Sequence, residues 1–358
     1  MHLNNKARLV LEDGEEFEGF SFGAEKSVSG EVVFSTGMVG YPESLTDPSY
    51  KGQILALTYP LIGNYGVPGK EKENGLVKNF ESEKIQVTAL IVSDYSSEHN
   101  HWNAKKSLAE WLKEENIPAI YGIDTRRLTK ALREKGAMLG KIVLNNEKIG
   151  FFDPNAIDIA KHVTIEKPVV YNEKAGQKKV VVIDCGIKLN IIRNLIKRNL
   201  TVIRVPHDYD FLTQMFDGLV ISNGPGDPKM CSKTIYNVGR ALKHNIPTFG
   251  ICLGNQIMAL AAGGNTYKLK YGHRSQNQPC TLVGTKRCFI TTQNHGFAVD
   301  MKTLGSEWEE YFINANDGTN EGIKHKTKPF MAVQFHPENF PGPTDTEFLF
   351  DEFVRMIK

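Results

Sequence analysis

Residues 179–205 read KVVVIDCGIKLNIIRNLIKRNLTVIRV, and this stretch decides the fold of the second half of the chain. Its first six residues enclose a continuous apolar run at 180–183, typical of a strand covered on both faces in a parallel sheet. An amphipathic helical pattern follows, and another apolar strand begins at Thr201. The alternation continues with strands at 218–222 and 247–251 and helices at 236–244 and 253–262. This half is therefore predicted to be α/β, an open, mostly parallel sheet with right-handed helical crossovers.

The first half has the pattern of a separate α/β domain of undetermined topology. Residues 7–12 and 15–22 read as two strands joined by a tight turn at Asp13 and Gly14. A helix is predicted to begin after the capping residue Asp124 and to end at Gly136. At about 150 residues per domain, 358 residues predict two domains. We place the first at 1–150, a linker at 151–178 and the second domain at 179–358.

Composition excludes several classes of protein. The 43 basic and 41 acidic residues give a formal net charge of +2, which argues against a polycationic nucleic-acid-binding protein. No apolar run approaches the roughly 18 residues of a membrane-spanning helix. The amino terminus has neither a secretory nor an Arg-rich presequence. Five cysteines without short paired spacing favour a reducing compartment, so we expect a cytoplasmic protein that binds neither nucleic acid nor membrane.

Cys252 lies in the sequence Gly250-Ile-Cys-Leu-Gly254, where a predicted strand gives way to a helix. Small residues on both sides of a nucleophile permit a sharp turn that holds the central side chain out of the sheet. The partial positive charge at a helix N-terminus favours the reactive thiolate. The alternative is a buried cysteine in an ordinary glycine-rich turn.

His336 and Glu338 follow another predicted strand, in the sequence Phe335-His-Pro-Glu338. Side chains two residues apart in an extended chain point the same way, so Glu338 can orient the imidazole while His336 accepts a thiol proton. On its own, the motif is more typical of a surface turn. A catalytic role for His336 and Glu338 is favoured because Cys252 is predicted to lie in the same sheet.

The loop Ser222-Asn-Gly-Pro-Gly-Asp-Pro228 follows a third strand. Its backbone N–H groups, together with that of Leu253, could stabilise an oxyanion, although these residue types also form plain turns. The Cys, His and Glu spacings do not resemble a zinc site. Neither a phosphate-binding loop nor a dinucleotide fingerprint is present. We therefore expect no metal and no cofactor in this chain.

Together, these three motifs resemble those of the triad-type, class I glutamine amidotransferases. The first half narrows the resemblance, because residues 30–50 and 58–66 closely resemble the N-terminal domain of the carbamoyl phosphate synthetase small subunit. Residues 121–126, and 314–322 in the second half, also fit. The likeness covers nearly the whole chain. The sequences at 93–96 and 276–279 are most similar to the glutaminase part of the eukaryotic pyrimidine-pathway enzyme.

The resemblance implies glutamine hydrolysis to glutamate and ammonia, which is passed to a large synthetase subunit or a fused synthetase domain. ATP and Mg²⁺ are expected only in that partner. The implied catalytic residues are Cys252 as nucleophile, His336 as base and Glu338 as its orienting group. The implied glutamine and oxyanion residues are Ser49, Gly224, Gly226, Leu253, Gln256, Asn294, Gly296 and Phe297. The first domain is expected to dock the partner.

One position departs from the family pattern. Asn255 stands three residues after the nucleophile, where active relatives usually carry His and the ammonia-dependent branch carries Asn. The departure puts the efficiency of glutamine hydrolysis in question. The alternatives are a catalytically weak or inactive regulatory subunit of an ammonia-dependent carbamoyl phosphate synthetase and a free-standing cysteine hydrolase. The intact triad argues against the first, and the extra domain argues against the second.

Overall fold

The computed structural model of the chain describes residues 5–174 and 176–357. It divides into two compact units. The first comprises Met1–Glu73 and Val77–Ala156, and the second comprises Asn74–Leu76 and Ile157–Lys358. The boundary therefore lies inside the segment that the sequence assigns to a linker. Residues 157–178 belong to the second unit, where Val169–Tyr171 pairs with Thr201–Pro206.

The strands of the chain up to residue 156 are β1 Lys6–Leu11, β2 Glu16–Ser21, β3 Val28–Ser35, β4 Gln53–Leu57, β5 Val67–Pro68, β6 Lys72–Glu73, β7 Leu76–Val77, β8 Ala89–Val92, β9 Ala104–Lys106, β10 Ala119–Tyr121 and β11 Met138–Leu144. The helices are α1 Tyr41–Thr46, α2 Leu108–Glu114 and α3 Thr125–Lys135. Seven strands close into a barrel in the order β1-β11-β3-β4-β8-β10-β2.

Local signals explain most elements of the barrel unit. The predicted hairpin is confirmed, because β1 and β2 pair antiparallel across the turn at Asp13 and Gly14. Helix α3 begins where Asp124 accepts a hydrogen bond from the backbone N–H of Arg127 at 2.8 Å, and it ends at Gly136 with φ 111°. Apolar side chains from β1, β3, β4, β8 and α3 fill one core cluster. Barrel closure removes the exposed sheet edges that open antiparallel sheets leave.

The second unit contains β12 Val169–Tyr171, β13 Lys179–Asp184, β14 Thr201–Pro206, β15 Gly218–Ile221, β16 Thr248–Ile251, β17 Asn265–Leu282, β18 Cys288–Asp300, β19 Trp308–Asn314, β20 Asn320–His325 and β21 Phe330–Val333. Its helices are α4 Leu189–Lys197, α5 Ser232–Lys243, α6 Leu253–Ala261 and α7 Phe348–Met356. The ten strands form one sheet in the order β12-β14-β13-β15-β16-β21-β20-β19-β17-β18.

The α/β class is confirmed, but the expectation of a mostly parallel sheet is corrected. The pairs β13–β14, β13–β15, β15–β16 and β16–β21 are parallel, whereas β12 and the strands from β17 to β20 pair antiparallel. Beyond α6, hairpins join β17 to β18, β19 to β20 and β20 to β21. A hairpin makes its strands antiparallel, whereas parallel strands need a crossover. The sheet is therefore mixed.

The parallel strands bring the loops that carry the predicted site residues to the same end of the sheet. The segments after β13, β15, β16 and β21 leave the sheet at the carboxyl ends of adjacent strands, where open α/β sheets bind ligands. Helices α5 and α6 pack with these strands around a core that includes Ile221, Ile257 and Ala332. Across the part of the chain that the structure describes, no helix has the length and apolar character needed to cross a bilayer.

Candidate active site

Cys252 occupies a strained turn between β16 and α6. Its φ of 55° and ψ of −103° lie outside the regions that side-chain-bearing residues normally adopt. Glycines on both sides make the turn possible. A Cβ on Gly250 would lie 2.6 Å from the carbonyl oxygen of Gly254, and a Cβ on Gly254 would lie 2.1 Å from that of Ile221. The turn places the thiol at the N-terminus of a helix and at the edge of the sheet.

His336 reaches the same edge from the neighbouring strand. Strands β16 and β21 are parallel partners, and the backbone N–H of Cys252 donates to the carbonyl of Val333 at 2.8 Å. The imidazole is buried, with its Nδ1 2.6 Å from Oε1 of Glu338. Because a carboxylate only accepts, Nδ1 carries the proton and donates it. The other nitrogen, Nε2, makes no well-aligned hydrogen bond in the described part of the chain, but Cys252 lies near enough to the imidazole to raise its pKa.

Charges around the imidazole determine its protonation. Burial alone lowers the pKa of His336, but the charges of Glu338 and Cys252 outweigh that effect and raise the pKa to about 10. Burial raises the pKa of Glu338, yet the charges of Lys188 and His336 outweigh it and lower the pKa to about 2. The site thus favours an imidazolium held beside an ionised carboxylate, as a thiol–imidazole couple requires.

Lys188 is a site residue that the sequence analysis missed. Its Nζ lies 3.0 Å from Oε1 of Glu338 and donates to the carbonyl of Asn339 at 2.6 Å. Its backbone N–H donates to Oδ1 of Asn223 at 2.9 Å. The side chain is 3% exposed, which is rare for lysine unless it is paired. The signal in the sequence was a lone lysine between Ile187 and Leu189, just after an apolar strand.

The loop after β15 lies against the start of α6. A Cβ on Gly224 would lie 2.8 Å from Cδ2 of Leu253 and 2.1 Å from the carbonyl oxygen of Cys185, so only glycine fits there. Gly226, two residues later, has φ of 85°. Leu253 is the first residue of α6, where a backbone N–H has no carbonyl one turn earlier to bond. The structure therefore places Gly224 against the side chain of Leu253, and the binding of an oxyanion by their backbone N–H groups stays a prediction.

The predicted glutamine-binding residues of this unit lie around β18. The carbonyl oxygen of Asn294 is 3.6 Å from Sγ of Cys252. The side chain of Gln256, on α6, donates to the carbonyl of Phe297 at 2.8 Å. Gly296 lies between them in β18. Ser49 lies in the barrel unit, in the 3₁₀ turn Pro48–Tyr50, and its role in holding glutamine stays a prediction.

Asn255 is fully buried on α6. Its Nδ2 donates to Oε1 of Gln334 at 3.2 Å, and Gln256 donates to that same oxygen at 3.0 Å. Neither Oδ1 of Asn255 nor Nε2 of Gln334 has a hydrogen-bond partner in the described part of the chain. The residue that departs from the family pattern therefore shares a hydrogen-bond acceptor, Gln334, with Gln256, a residue predicted to hold the substrate.

A second group of titratable side chains lies on β17, β18 and β20. His273, His295 and Glu321 are buried, and each brings one possible metal ligand within 4.8 Å of the others. The ring of His273 already has a carboxylate oxygen at each nitrogen, Glu321 at 3.2 Å and Asp317 at 2.8 Å. His295 has its Nδ1 2.9 Å from the carbonyl of Phe297. This network supports the strand that carries the predicted glutamine-binding residues.

Both halves of the chain match known family models. Residues 9–142 match the model described as carbamoyl-phosphate synthase small chain, CPSase domain. Residues 181–356 match the model described as glutamine amidotransferase class-I.

Curated relatives cover nearly the whole chain. The "Carbamoyl phosphate synthase arginine-specific small chain" of Chaetomium globosum is 48% identical over 98% of this chain and 78% of its own length. "Multifunctional protein CAD" of Squalus acanthias is 54% identical over 98% of this chain, and "Carbamoyl-phosphate synthase [ammonia], mitochondrial" of Homo sapiens is 51% identical over 98%. The chain spans only 16% and 24% of the length of these two proteins. With both domain models and a small chain matched along most of its length, the chain belongs to the carbamoyl phosphate synthase small chain family, and its second half is a class I glutamine amidotransferase domain.

Proposed function

We propose that this chain hydrolyses glutamine to glutamate and ammonia through a Cys252 thioester. The observation that supports this most directly is the strained Cys252 turn beside a buried imidazole whose Nδ1 lies 2.6 Å from Glu338. A cysteine in an ordinary turn has no need of disfavoured backbone angles or of a charged imidazole pair. The alternative interpretation as a structural cysteine explains neither feature.

The reaction follows from the positions of these groups. His336 holds the proton of the thiol as an imidazolium, and the Cys252 sulfur attacks the side-chain amide carbon of glutamine. Backbone N–H groups of Leu253 and of Gly224 or Gly226 stabilise the tetrahedral oxyanion. His336 then protonates the leaving nitrogen, and ammonia departs as the thioester forms. Water attacks the thioester, His336 accepts its proton, and the C–S bond breaks to release glutamate and the thiol.

The same geometry supports roles for the remaining residues. Glu338 and Lys188 hold the imidazole and compensate its charge. The carbonyl oxygen of Asn294 lies beside the thiol. We propose that Asn294 binds glutamine together with Gln256, Gly296 and Phe297, with Ser49 as a further contact.

We further propose that the ammonia is delivered to a synthetase partner that makes carbamoyl phosphate for pyrimidine or arginine synthesis. That partner is a large subunit or a synthetase domain of the same polypeptide, and ATP and Mg²⁺ act there. Enclosed transfer keeps ammonia away from water, where it would become the non-nucleophilic ammonium ion. The barrel unit is proposed to dock the partner. The five cysteines are all unpaired thiols, which suits a cytoplasmic location.

A glutaminase assay of the wild type and of Cys252→Ala tests the proposal. The variant should lose glutamine hydrolysis, while the complex with the synthetase still makes carbamoyl phosphate from free ammonia. Equal loss of both activities would contradict the assignment. Low activity of the wild type that rises in Asn255→His would favour the second candidate, a catalytically weak regulatory subunit. The buried contact of Asn255 with the Gln334–Gln256 pair favours testing this position first.

A further inference from the structure

The hydroxyl of Ser222, the first residue after β15, makes two buried hydrogen bonds. Ser222 is 0% exposed, and its Oγ accepts the backbone N–H of Cys185 at 3.0 Å. The hydroxyl hydrogen donates to the backbone carbonyl of the next residue, Asn223, at 2.7 Å. One hydroxyl therefore joins the segment that follows β13 to the loop that carries Gly224.

The bond to Asn223 fixes the direction of a backbone N–H. A peptide unit is planar and trans, so the carbonyl of Asn223 and the N–H of Gly224 lie in one plane and point in opposite directions. Holding the carbonyl therefore also holds the N–H that is proposed to bind the oxyanion. Because linked hydrogen bonds polarise one another, a carbonyl that accepts a hydrogen bond also strengthens the N–H of its own peptide as a donor.

Packing fixes the position of Gly224 but not the rotation of the peptide before it. A Cβ on Gly224 would lie 2.1 Å from the carbonyl oxygen of Cys185, so the two backbones are in close contact. Rotation of the 223–224 peptide changes ψ of Asn223 and φ of Gly224, and glycine adopts φ of either sign at little cost. The Ser222 hydroxyl is therefore the group that selects one orientation of this peptide.

The segment 185–188, to which this hydroxyl is bonded, is shaped by a buried carboxylate. Asp184 is 0% exposed, and its Oδ1 accepts the backbone N–H groups of Gly186 and Ile187 at 3.0 and 2.9 Å. Its Oδ2 accepts two hydrogen bonds from the side chain of Arg204, at 3.0 and 2.7 Å. The segment is thus a fixed support from which the hydroxyl reaches the oxyanion loop.

We infer that Ser222 is a positioning residue for glutamine hydrolysis, whose hydroxyl holds the Gly224 N–H in the direction of the oxyanion. This inference rests on the proposed function. An oxyanion donor acts on a negative charge that exists only in the tetrahedral states, so the loss of its orientation affects those states alone. Binding of intact glutamine and ionisation of the Cys252 thiol do not depend on it.

The test compares Ser222→Ala and Ser222→Thr, which keeps the hydroxyl, with the control Thr248→Val in the complete protein. Thr248 is also 0% exposed and donates its hydroxyl hydrogen to the carbonyl of Ile246 at 2.7 Å. It lies at the opposite end of β16 from Cys252, so its removal costs a similar buried hydrogen bond away from the site.

Three readouts separate an effect on the oxyanion from a general structural effect. The first is steady-state glutaminase kinetics. The second is affinity for the aldehyde analogue of glutamine, with hydrogen in place of the amide nitrogen. The Cys252 sulfur adds to its carbonyl carbon, the C=O electron pair moves to oxygen, and no group leaves. The third is the rate at which iodoacetamide alkylates Cys252, measured by peptide mapping, because this displacement forms no oxyanion.

Ser222→Ala should lower kcat and kcat/KM by about 10- to 100-fold with KM nearly unchanged, somewhat less than the outright loss of an oxyanion donor. Its affinity for the aldehyde should fall by a similar factor, while the alkylation rate matches the wild type. Ser222→Thr should recover most of the aldehyde affinity, and Thr248→Val should match the wild type in all three readouts.

Wild-type aldehyde affinity in Ser222→Ala would overturn the inference alone. Equal losses of aldehyde affinity and of alkylation rate would also overturn it, because Ser222 would then act through the Cys252–His336 pair. A wild type that neither hydrolyses glutamine nor binds the aldehyde would contradict the proposed function, and this inference with it.

Discussion

The ammonium group of Lys188 lies 3.0 Å from the carboxylate of Glu338, and the two side chains are 3% and 0% exposed. A buried pair of this kind is not a large source of stability, because both charges lose their hydration. Removing one partner, however, leaves an uncompensated charge in the interior. The pair therefore fixes the carboxylate that orients His336, and its loss should affect both folding and chemistry.

Lys188→Met is expected to lower the free energy of unfolding by about 3–5 kcal/mol, the usual cost of breaking a buried ion pair. It should also lower kcat for glutamine, because the pKa of Glu338 rises when the lysine charge is absent. Urea unfolding and steady-state kinetics measure both effects. Lys197→Met is the matched control, since Lys197 pairs with Glu347 at the surface and should cost no more than about 1 kcal/mol. Equal losses in both variants would contradict the assigned role.

The raised pKa of His336 makes its contribution to stability depend on pH in a defined direction. The group binds its proton more tightly in the folded than in the unfolded state. Its contribution is therefore complete below the ordinary pKa of 6.5 and is lost as the pH rises through about 10. For Glu338 the sign is opposite, since its contribution is present above 4.5 and is lost as the pH falls through about 2.

The difference in unfolding free energy between the wild type and His336→Gln should accordingly shrink between pH 6.5 and 10. Denaturant titrations at several pH values measure it. A difference that grows with pH across this range would show that His336 is neutral in the folded protein.

Gln334→Met removes the oxygen that accepts hydrogen bonds from the buried side chains of Asn255 and Gln256. Leaving buried donors without an acceptor costs about 1–3 kcal/mol each. Because Gln256 then loses its orientation, the KM for glutamine should rise by about tenfold with a smaller change in kcat. Steady-state kinetics separates the two constants. A fall in kcat at unchanged KM would instead place Gln334 in the chemistry.

Glu321→Gln tests the buried network that Glu321 forms with His273 and His295. Burial raises the pKa of Glu321, but His295 and His273 outweigh it and lower the pKa, while the pKa of His273 is raised chiefly by Glu321 against the effect of burial. The substitution keeps the size of the side chain and removes its charge. We expect a loss of about 1–3 kcal/mol in unfolding free energy at neutral pH and a higher KM for glutamine, since His295 contacts the carbonyl of Phe297. Unchanged values of both would show that the charge of Glu321 has no structural role.

The elements that sequence patterns predict here are those with strong local signals. Asp124 and Gly136 bound α3 because a capping carboxylate and a left-handed glycine act within one helix. The barrel closure was not predictable, since it depends on the pairing of Ile120 with Ser21, about a hundred residues apart. The mixed sheet was missed because Asn265–Leu282 and Cys288–Asp300 form one long hairpin, whereas the strands with clear local signals are joined by helical crossovers.

The candidate site likewise contains residues that local sequence patterns predict and one that only the tertiary structure reveals. Cys252, His336 and Glu338 stood out because each lies at the end of a recognisable strand. Lys188 was missed because its partner, Glu338, is 150 residues away and nothing local marks the contact. Spatial neighbours on different strands are visible only when the strand order is known.

The central claim is that the Cys252 sulfur forms a covalent bond to the γ-carbonyl carbon of glutamine. The most direct measurement is mass spectrometry of acid-quenched protein after brief mixing with glutamine, followed by peptide mapping. We predict a γ-glutamyl adduct on the peptide that contains Cys252, and none in Cys252→Ala. Glutamine turnover without any adduct on Cys252, or an adduct on Cys185, Cys231, Cys280 or Cys288 instead, would contradict the account.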